Sequence, residues 1–431
     1  MNYYSTSKSG KIYTLKEAVL QGLPEDNGLF MPEFIPVIDN NIINDLKNLS
    51  FTEIAKIVSH ALLKNDIPGN KINEIVEKAI NFPAPIVEID SDTSVLELFH
   101  GPTLAFKDFG ARFMAELMSY LVKDNNKKLT ILVATSGDTG GAVANGFLNK
   151  EGVDVIILYP SGKVSKIQEQ QLTTCGSNII ALEIDGTFDD CQRLVKSAFL
   201  DTDLQDEYFL SSANSINISR LIPQTFYYFE AFKQIQHKNR PVIFSVPSGN
   251  FGNLTAGVLA KKMGLPVAKF IAAVNSNNVF TKYLETGIYQ PQTSVRTLSN
   301  AMDVGAPSNF ARLMDIYNND LSLVKNDIIS YSFTDAETTA EINRIFDEKH
   351  YILDPHGAIA TLGCKKHQQN QSDALYIALE TAHPAKFQEE MEHILPGKVS
   401  LPDALAALST KESSSVKLSA SFDDLKNWML S

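Results

Sequence analysis

The chain has 431 residues, 44% of them hydrophobic and 20% charged, with a formal net charge of −12; it is long enough for two or three domains with their own cores. The acidic balance argues against nucleic acid and anionic membrane as partners, though a local basic pocket can still take an anionic ligand. No apolar run approaches the ~18 residues of a bilayer span, and the three scattered cysteines, Cys175, Cys191 and Cys364, form no CxxC, which fits a reduced, cytoplasmic protein.

The opening residues Met1–Gly10 lack the apolar core of a secretory signal. Residues 1–90 carry amphipathic patterns at Phe51–Leu63 and Lys71–Ile80, with proline-rich joints at 32–36 and 83–85, and predict a mostly helical N-terminal domain. Next comes His-Gly-Pro-Thr-Leu-Ala-Phe-Lys-Asp-Phe-Gly at 100–110, ahead of an expected helix Ala111–Val122. Lys107 has Phe106 and Phe109 as apolar neighbours, which disfavour the ammonium form. A neutral lysine at a loop–helix junction can condense with an aldehyde; a plain surface lysine at a helix start is the alternative.

From Asp92 onward, short apolar β-branched runs alternate with helical patterns. Strands are expected at Leu129–Ala134, Val153–Tyr159, Ile179–Ile184, Tyr208–Ser211, Val242–Val246, Phe270–Val274 and Leu375–Leu379. Buried strands alternating with helices predict a doubly wound α/β fold with mostly parallel sheets. Residues Ser409–Ser421 read as a surface loop before a last helix holding Trp428, and Asp189 or Asp190 as a helix cap.

The loops after these strands occupy the sheet edge where ligands bind in such folds. Pro247-Ser-Gly-Asn-Phe-Gly-Asn253 opens the helix Leu254–Met263; its glycines and the helix N-terminus suit a phosphate dianion. Thr135-Ser-Gly-Asp-Thr-Gly-Gly141 has the same setting, but Asp138 opposes anion binding unless it meets a cation or caps the helix. Asn214-Ser-Ile-Asn-Ile-Ser-Arg220 offers an arginine for a bidentate phosphate contact or a structural ion pair. Glu380-Thr-Ala-His-Pro-Ala385 ends a strand with a hydroxyl able to meet a ring nitrogen or to cap a helix. The eight histidines show no metal-binding spacing; His356 and His383, each beside a proline, read as packing or capping residues. No GxGxxG or GxxxxGK[ST] supports a dinucleotide site or an ATPase.

Together with Tyr3-Tyr-Ser-Thr6, Gly28-Leu-Phe-Met-Pro32, Asp354-Pro-His-Gly357 and Thr381-Ala-His-Pro-Ala-Lys386, these loops resemble the threonine synthases, of the tryptophan-synthase-β-like type II fold of pyridoxal-phosphate enzymes. The length matches the longer form of bacteria and fungi. The resemblance implies a helix-rich domain over 1–90, a large cofactor domain over 91–120 and 205–431, and a small α/β domain over 121–204. It implies pyridoxal 5′-phosphate as cofactor and the conversion of O-phospho-L-homoserine and water to L-threonine and phosphate, by a lyase that is a monomer or weak homodimer. Lys107 would be the catalytic residue and the cofactor's covalent tether. Ser248, Gly249, Asn250, Phe251, Gly252 and Asn253 would grip the cofactor's phosphate, and Thr381 would meet the pyridine nitrogen. Ser136, Gly137, Asp138 and Thr139 would face the substrate carboxylate; Ser215, Asn217, Arg220 and Asn250 would take the substrate phosphate. Rival readings are another type II lyase, such as a threonine dehydratase or a phosphohomoserine phospho-lyase, and a non-catalytic binding homologue. Cysteine synthases differ in having asparagine where this chain has Asp138.

Overall fold

The computed structural model describes every residue except 124, 126, 136, 237, 238 and 370–372. The first 80 residues are not only helical. Tyr3–Ser5, Ile12–Tyr13 and Phe30–Pro32 make a three-stranded antiparallel sheet with Tyr3–Ser5 in the middle. Strands of two and three residues are too short to show a period of two, which is why the sequence pattern missed them. The helix Phe51–Leu63 has the predicted bounds, because Ser50 and Glu53 form a reciprocal capping box at its start. It buries Ile54, Ala55, Val58 and Leu62 against the helices Gly69–Ala79 and Phe226–Ile235.

The rest of the chain forms two wound sheets. The larger has the order Ile328–Ser332, Val267–Val274, Val242–Pro247, Leu375–Glu380, Thr93–Glu97, Ile86–Glu88, parallel except for the last, antiparallel edge pair. The smaller has the order Val416–Ser419, Ile179–Asp185, Val153–Pro160, Leu129–Ala134, Phe209–Ser211, parallel throughout. Leu129–Ala134, Val242–Pro247 and Leu375–Glu380 are buried at every position, as strands covered by helices on both faces must be. Helix Lys107–Leu121 packs on helix Asp138–Phe147 and so joins the two sheets.

Several expectations need correction. Helix Lys107–Leu121 starts four residues before Ala111, at the lysine itself. The supposed surface loop Ser409–Ser421 contains the strand Val416–Ser419, which pairs in parallel with Ile179–Asp185; the helix Phe422–Leu430 then packs on helix Phe188–Leu200. The smaller sheet therefore recruits Phe209–Ser211 and Val416–Ser419 from outside the 121–204 segment. The cap of helix Phe188–Leu200 is Thr187, with Asp190 returning the bond to its backbone. No described helix is long and apolar enough to cross a membrane.

Candidate active site

The segment before Lys107 is sewn to the end of strand Leu375–Glu380. Leu98 donates to the Glu380 carbonyl at 2.9 Å, Phe106 to the Thr381 carbonyl at 2.8 Å, and His383 to the Leu104 carbonyl at 3.0 Å. Leu104 takes a left-handed conformation, φ 57°, strained for a branched side chain. Inside the turn, the fully buried Asp108 accepts from the Thr103 amide at 2.8 Å and its hydroxyl at 2.6 Å. These bonds hold Lys107 and Thr381 on neighbouring strand ends.

Lys107 opens its helix without a side-chain cap and keeps 17% of its side chain exposed. Its ammonium lies 6.0 Å from the Phe106 ring centre. Phe109, expected as a second wall, instead packs into the core against Phe51, Phe82 and Tyr227. Burial pulls the pKa of Lys107 below the usual lysine range; Asp138 opposes this, while Lys386 and Arg220 add to it.

Asp138 resolves the puzzle of an acid in an anion-facing loop. It does not cap its helix: the Thr135 hydroxyl takes the amides of Gly137 at 3.0 Å and Gly140 at 2.9 Å. Asp138 instead meets a cation absent from the expected site set, Lys386, at 2.9 Å through Oδ1. Gln168 Nε2 adds a bond at 3.0 Å, and the second oxygen stands 3.9 Å from Lys107 Nζ. Burial pushes this carboxyl up, but Lys386, Lys107 and the hydrogen bonds outweigh it and hold it well below the usual carboxylate range. Gly137 sits at φ 141°, and a Cβ there would strike the Gln168 amide. Thr139 is half-buried beside it, and Ser136 lies outside the described residues.

The loops 214–220 and 248–253 touch. Asn250 Nδ2 donates to Ser215 Oγ at 2.6 Å, and the Asn250 carbonyl accepts from Asn309 Nδ2 at 3.1 Å. Phe251 is left-handed, φ 60°, and helix Gly252–Lys262 starts without a side-chain cap, so its first amides are open to an anion. A Cβ on Gly252 would meet nothing nearer than Asn309 Nδ2 at 3.6 Å, with Ser215 and Gln224 as the next neighbours: the space before it is a cup edged by polar groups. Asn253 receives the hydroxyls of Tyr227 and Tyr228, both at 2.7 Å, while its buried Nδ2 has no partner. Ser248 is turned inward to the Val246 carbonyl at 2.8 Å.

Arg220 is buried, donates from Nη1 to the Ala213 carbonyl at 2.8 Å, and leaves Nε without a partner. It fits because Gly110 opposite has no Cβ; one there would lie 2.7 Å from Nε. Asn217 is engaged within the protein, donating to Val19 and Ser212 carbonyls and accepting from Ser219. A second buried arginine, Arg312, holds the carbonyls of Phe30, Ser215 and Ile216, so the short N-terminal sheet braces the 214–220 loop.

Thr381 is buried and follows Glu380, whose Oε1 accepts the Asp354 amide at 2.5 Å. Asp354 caps helix Pro355–Gln368 and accepts from His356 Nδ1 at 2.5 Å; His383 caps the turn Pro384–Phe387. Both histidines thus do the capping and packing expected of them. Sequence reasoning found the loops but gave no role to Lys386, Gln168, Asn309 or Arg312. Lys386 did stand inside the Thr381–Lys386 motif, and its setting in an apolar Pro-Ala-Lys-Phe stretch was the available signal.

Comparison with known proteins agrees with this geometry. Residues 91–379 match the pyridoxal-phosphate dependent enzyme family, 2–80 the threonine synthase N terminus, and 357–429 the threonine synthase C-terminal family. The chain is 45% identical to a threonine synthase of Haemophilus influenzae, with 94% of each chain covered. The crystal structure of threonine synthase from Escherichia coli superposes with a TM-score of 0.92 at 42% identity, covering 100% of this chain and 99% of that one. A pyridoxal-phosphate-bound threonine synthase from Brucella melitensis superposes with a TM-score of 0.94 at 36% identity, covering 99% and 98%.

Proposed function

The chain belongs to the threonine synthase family of pyridoxal-phosphate-dependent enzymes, and from that premise we propose that it converts O-phospho-L-homoserine and water to L-threonine and phosphate with Lys107 as its proton-transfer group. The observation that carries this reading is the setting of Lys107: a lysine amine driven toward its neutral form by burial, at a helix start, with Asp138 at 3.9 Å and the charges of Lys386 and Arg220 bearing on it.

The residues present fit the cofactor. The polar-edged cup before Gly252 and the unpartnered Asn253 Nδ2 support Ser248–Asn253 as the holder of the cofactor phosphate. Thr381 would meet the ring nitrogen, and Lys107 would tether the aldehyde carbon. When bound, the cofactor supplies an electron sink, a milder one beside a threonine hydroxyl than beside a carboxylate.

The chain's own groups account for the rest. The neutral Lys107 amine takes the substrate's Cα proton, passes it on within the site and, neutral again, takes a Cβ proton. Gly137, Asp138 and Thr139 line the substrate's carboxylate end. Arg220, backed by Ser215 and Asn250, receives the leaving phosphate and stabilises its charge; Asn217, its amide already engaged, keeps that loop in shape. Lys107 returns a proton at Cγ, water adds its hydroxyl at Cβ, a proton returns to Cα, and water's remaining proton leaves with the phosphate.

The test is to incubate the holoenzyme with O-phospho-L-homoserine and identify the organic product. L-Threonine in equal amount to phosphate is expected. Release of 2-oxobutanoate with the phosphate would overturn the reading in favour of a phospho-lyase, and no turnover would favour a binding homologue.

A further inference from the structure

Lys386 is completely buried, with 0% of its side chain exposed. Its three donors are all engaged: Asp138 Oδ1 at 2.9 Å, the Thr103 carbonyl at 2.8 Å and Gln171 Oε1 at 3.1 Å. An ammonium with its tetrahedral set of partners filled is fixed in place. It stands just after the strand Leu375–Glu380 of the larger sheet, whereas Asp138 and Gln171 lie on helices flanking the smaller one. The cation therefore reaches across from one sheet to the other and claims a single oxygen of a single carboxylate.

Among the described residues, that carboxylate is the one acid whose charge bears on Lys107. The charges that bear on Lys107 are Asp138, Lys386 and Arg220; Asp108, behind them, bears on Lys386's side of the site and on Arg220. Asp138 Oδ1 is taken by Lys386 and Gln168, and Oδ2 stays 3.9 Å from Lys107 Nζ, beyond hydrogen-bond reach. Without Lys386, Asp138 would be a buried carboxylate with one cation left to turn to, and that cation is Lys107.

We propose that Lys386 is a positioning residue for the reaction: it occupies Asp138 and so keeps the Lys107 amine from being captured as an ion pair. The inference rests on the reading of Lys107 as the base. Lys386 touches no reacting atom in this scheme; it acts by holding Asp138 and by the charge it sets against a Lys107 ammonium. A buried carboxylate freed of its partner raises a neighbouring lysine's pKa, and a buried carboxylate–ammonium pair removed as a unit leaves it nearly unmoved.

The test compares full-length wild type, Lys386→Met, Asp138→Asn and the double variant. Methionine keeps the length of the lysine stem. In the cofactor-free chains, Lys107 is titrated by competitive acetylation with acetic anhydride across pH, read by mass spectrometry of the Lys107 peptide. Lys386→Met is expected to raise the titration midpoint of Lys107 by about 1–3 pH units. Asp138→Asn should lower it, and the double variant should return close to wild type. In the holoenzymes the acid limb of the kcat profile should move the same way for Lys386→Met. If Lys386→Met does not fold, Lys386→Gln takes its place in the same four-way comparison. A Lys107 midpoint that rises no further on the Asp138 background than on the Asp138→Asn background overturns the proposal, leaving Lys386 a structural tie. Borohydride fixing of the cofactor to a lysine other than Lys107 would instead overturn the underlying reading.

Discussion

Gly357 stands directly over the Glu380 carboxyl, so close that a methyl group on the glycine would overlap Oε2. The helix Pro355–Gln368 can approach the strand end only because that position lacks a side chain. Gly357→Ala is therefore expected to cost about 3 kcal/mol or more, above the usual range for overpacking because the obstacle is fully buried. Denaturant unfolding of the two proteins measures it; a loss under about 1 kcal/mol would show that the strand end yields.

The same carboxyl makes stability depend on pH. Burial and the charge of the neighbouring Asp354 push the Glu380 pKa well above the glutamate range. A folded pKa above the unfolded one means stability is fully present below the unfolded value. It falls by about 1.4 kcal/mol per pH unit as pH rises toward the folded value. Glu380→Gln, which copies the neutral acid, should match wild type in acid and exceed it increasingly toward alkaline pH. Parallel stability profiles from pH 5 to 9 would contradict this.

Lys107→Ala should reduce threonine formation by at least ~10²–10⁴-fold, the range for losing a positioned proton-transfer group. Its melting temperature should not fall, because the variant removes a buried amine whose ammonium form is disfavoured. In wild type, borohydride should fix the cofactor to the peptide carrying Lys107. A label on another lysine would disprove the assignment.

Arg220→Ala should lose roughly 2–4 kcal/mol of transition-state stabilisation, about 30- to 1000-fold in kcat/KM. Affinity for the cofactor should stay near wild type if the cofactor phosphate takes the uncapped amides at the start of helix Gly252–Lys262, as proposed. Arg220→Lys should recover part of the loss, keeping the charge without the planar fork. Equal weakening of cofactor binding and catalysis would mean the two phosphates have been exchanged in this assignment.

Two glycines of the 248–253 loop should respond differently to alanine. A Cβ on Gly249 would lie 2.7 Å from the Met302 backbone, so Gly249→Ala should destabilise the cofactor-free chain. A Cβ on Gly252 has room but enters the cup edged by Ser215, Gln224 and Asn309. Gly252→Ala should therefore spare stability and weaken cofactor binding by about tenfold or more, a 1.4 kcal/mol effect. Titration of cofactor into both variants distinguishes the cases; unweakened binding in Gly252→Ala would remove the cup as the phosphate site.

What the sequence made legible was local. Strand Leu129–Ala134 and helix Phe51–Leu63 announce themselves by composition and a capping box, and the loops at 135–141, 214–220 and 248–253 by glycine and hydroxyl density after a strand. What stayed hidden needed three dimensions. Lys386 and Asp138 meet from distant parts of the chain, and no spacing rule links them. Phe109 adjoins Lys107 in sequence yet turns into the core on a helix that starts earlier than expected. Val416–Ser419 is four residues of mostly exposed chain, too short and too polar to read as a strand, and it becomes one only because Ile179–Asp185 offers an edge.

That last strand has a consequence for how the protein is made. The smaller sheet begins with Leu129–Ala134, yet its outer edge is closed by Val416–Ser419 and held by the helix that runs to Leu430. A ribosome delivers these closing residues only after a further four of the larger sheet's six strands, so the smaller sheet must wait that long with one flank open. An unpaired parallel edge invites wrong partners during that interval, and nascent chains stalled shortly before residue 416 are where misassembly of this fold should concentrate.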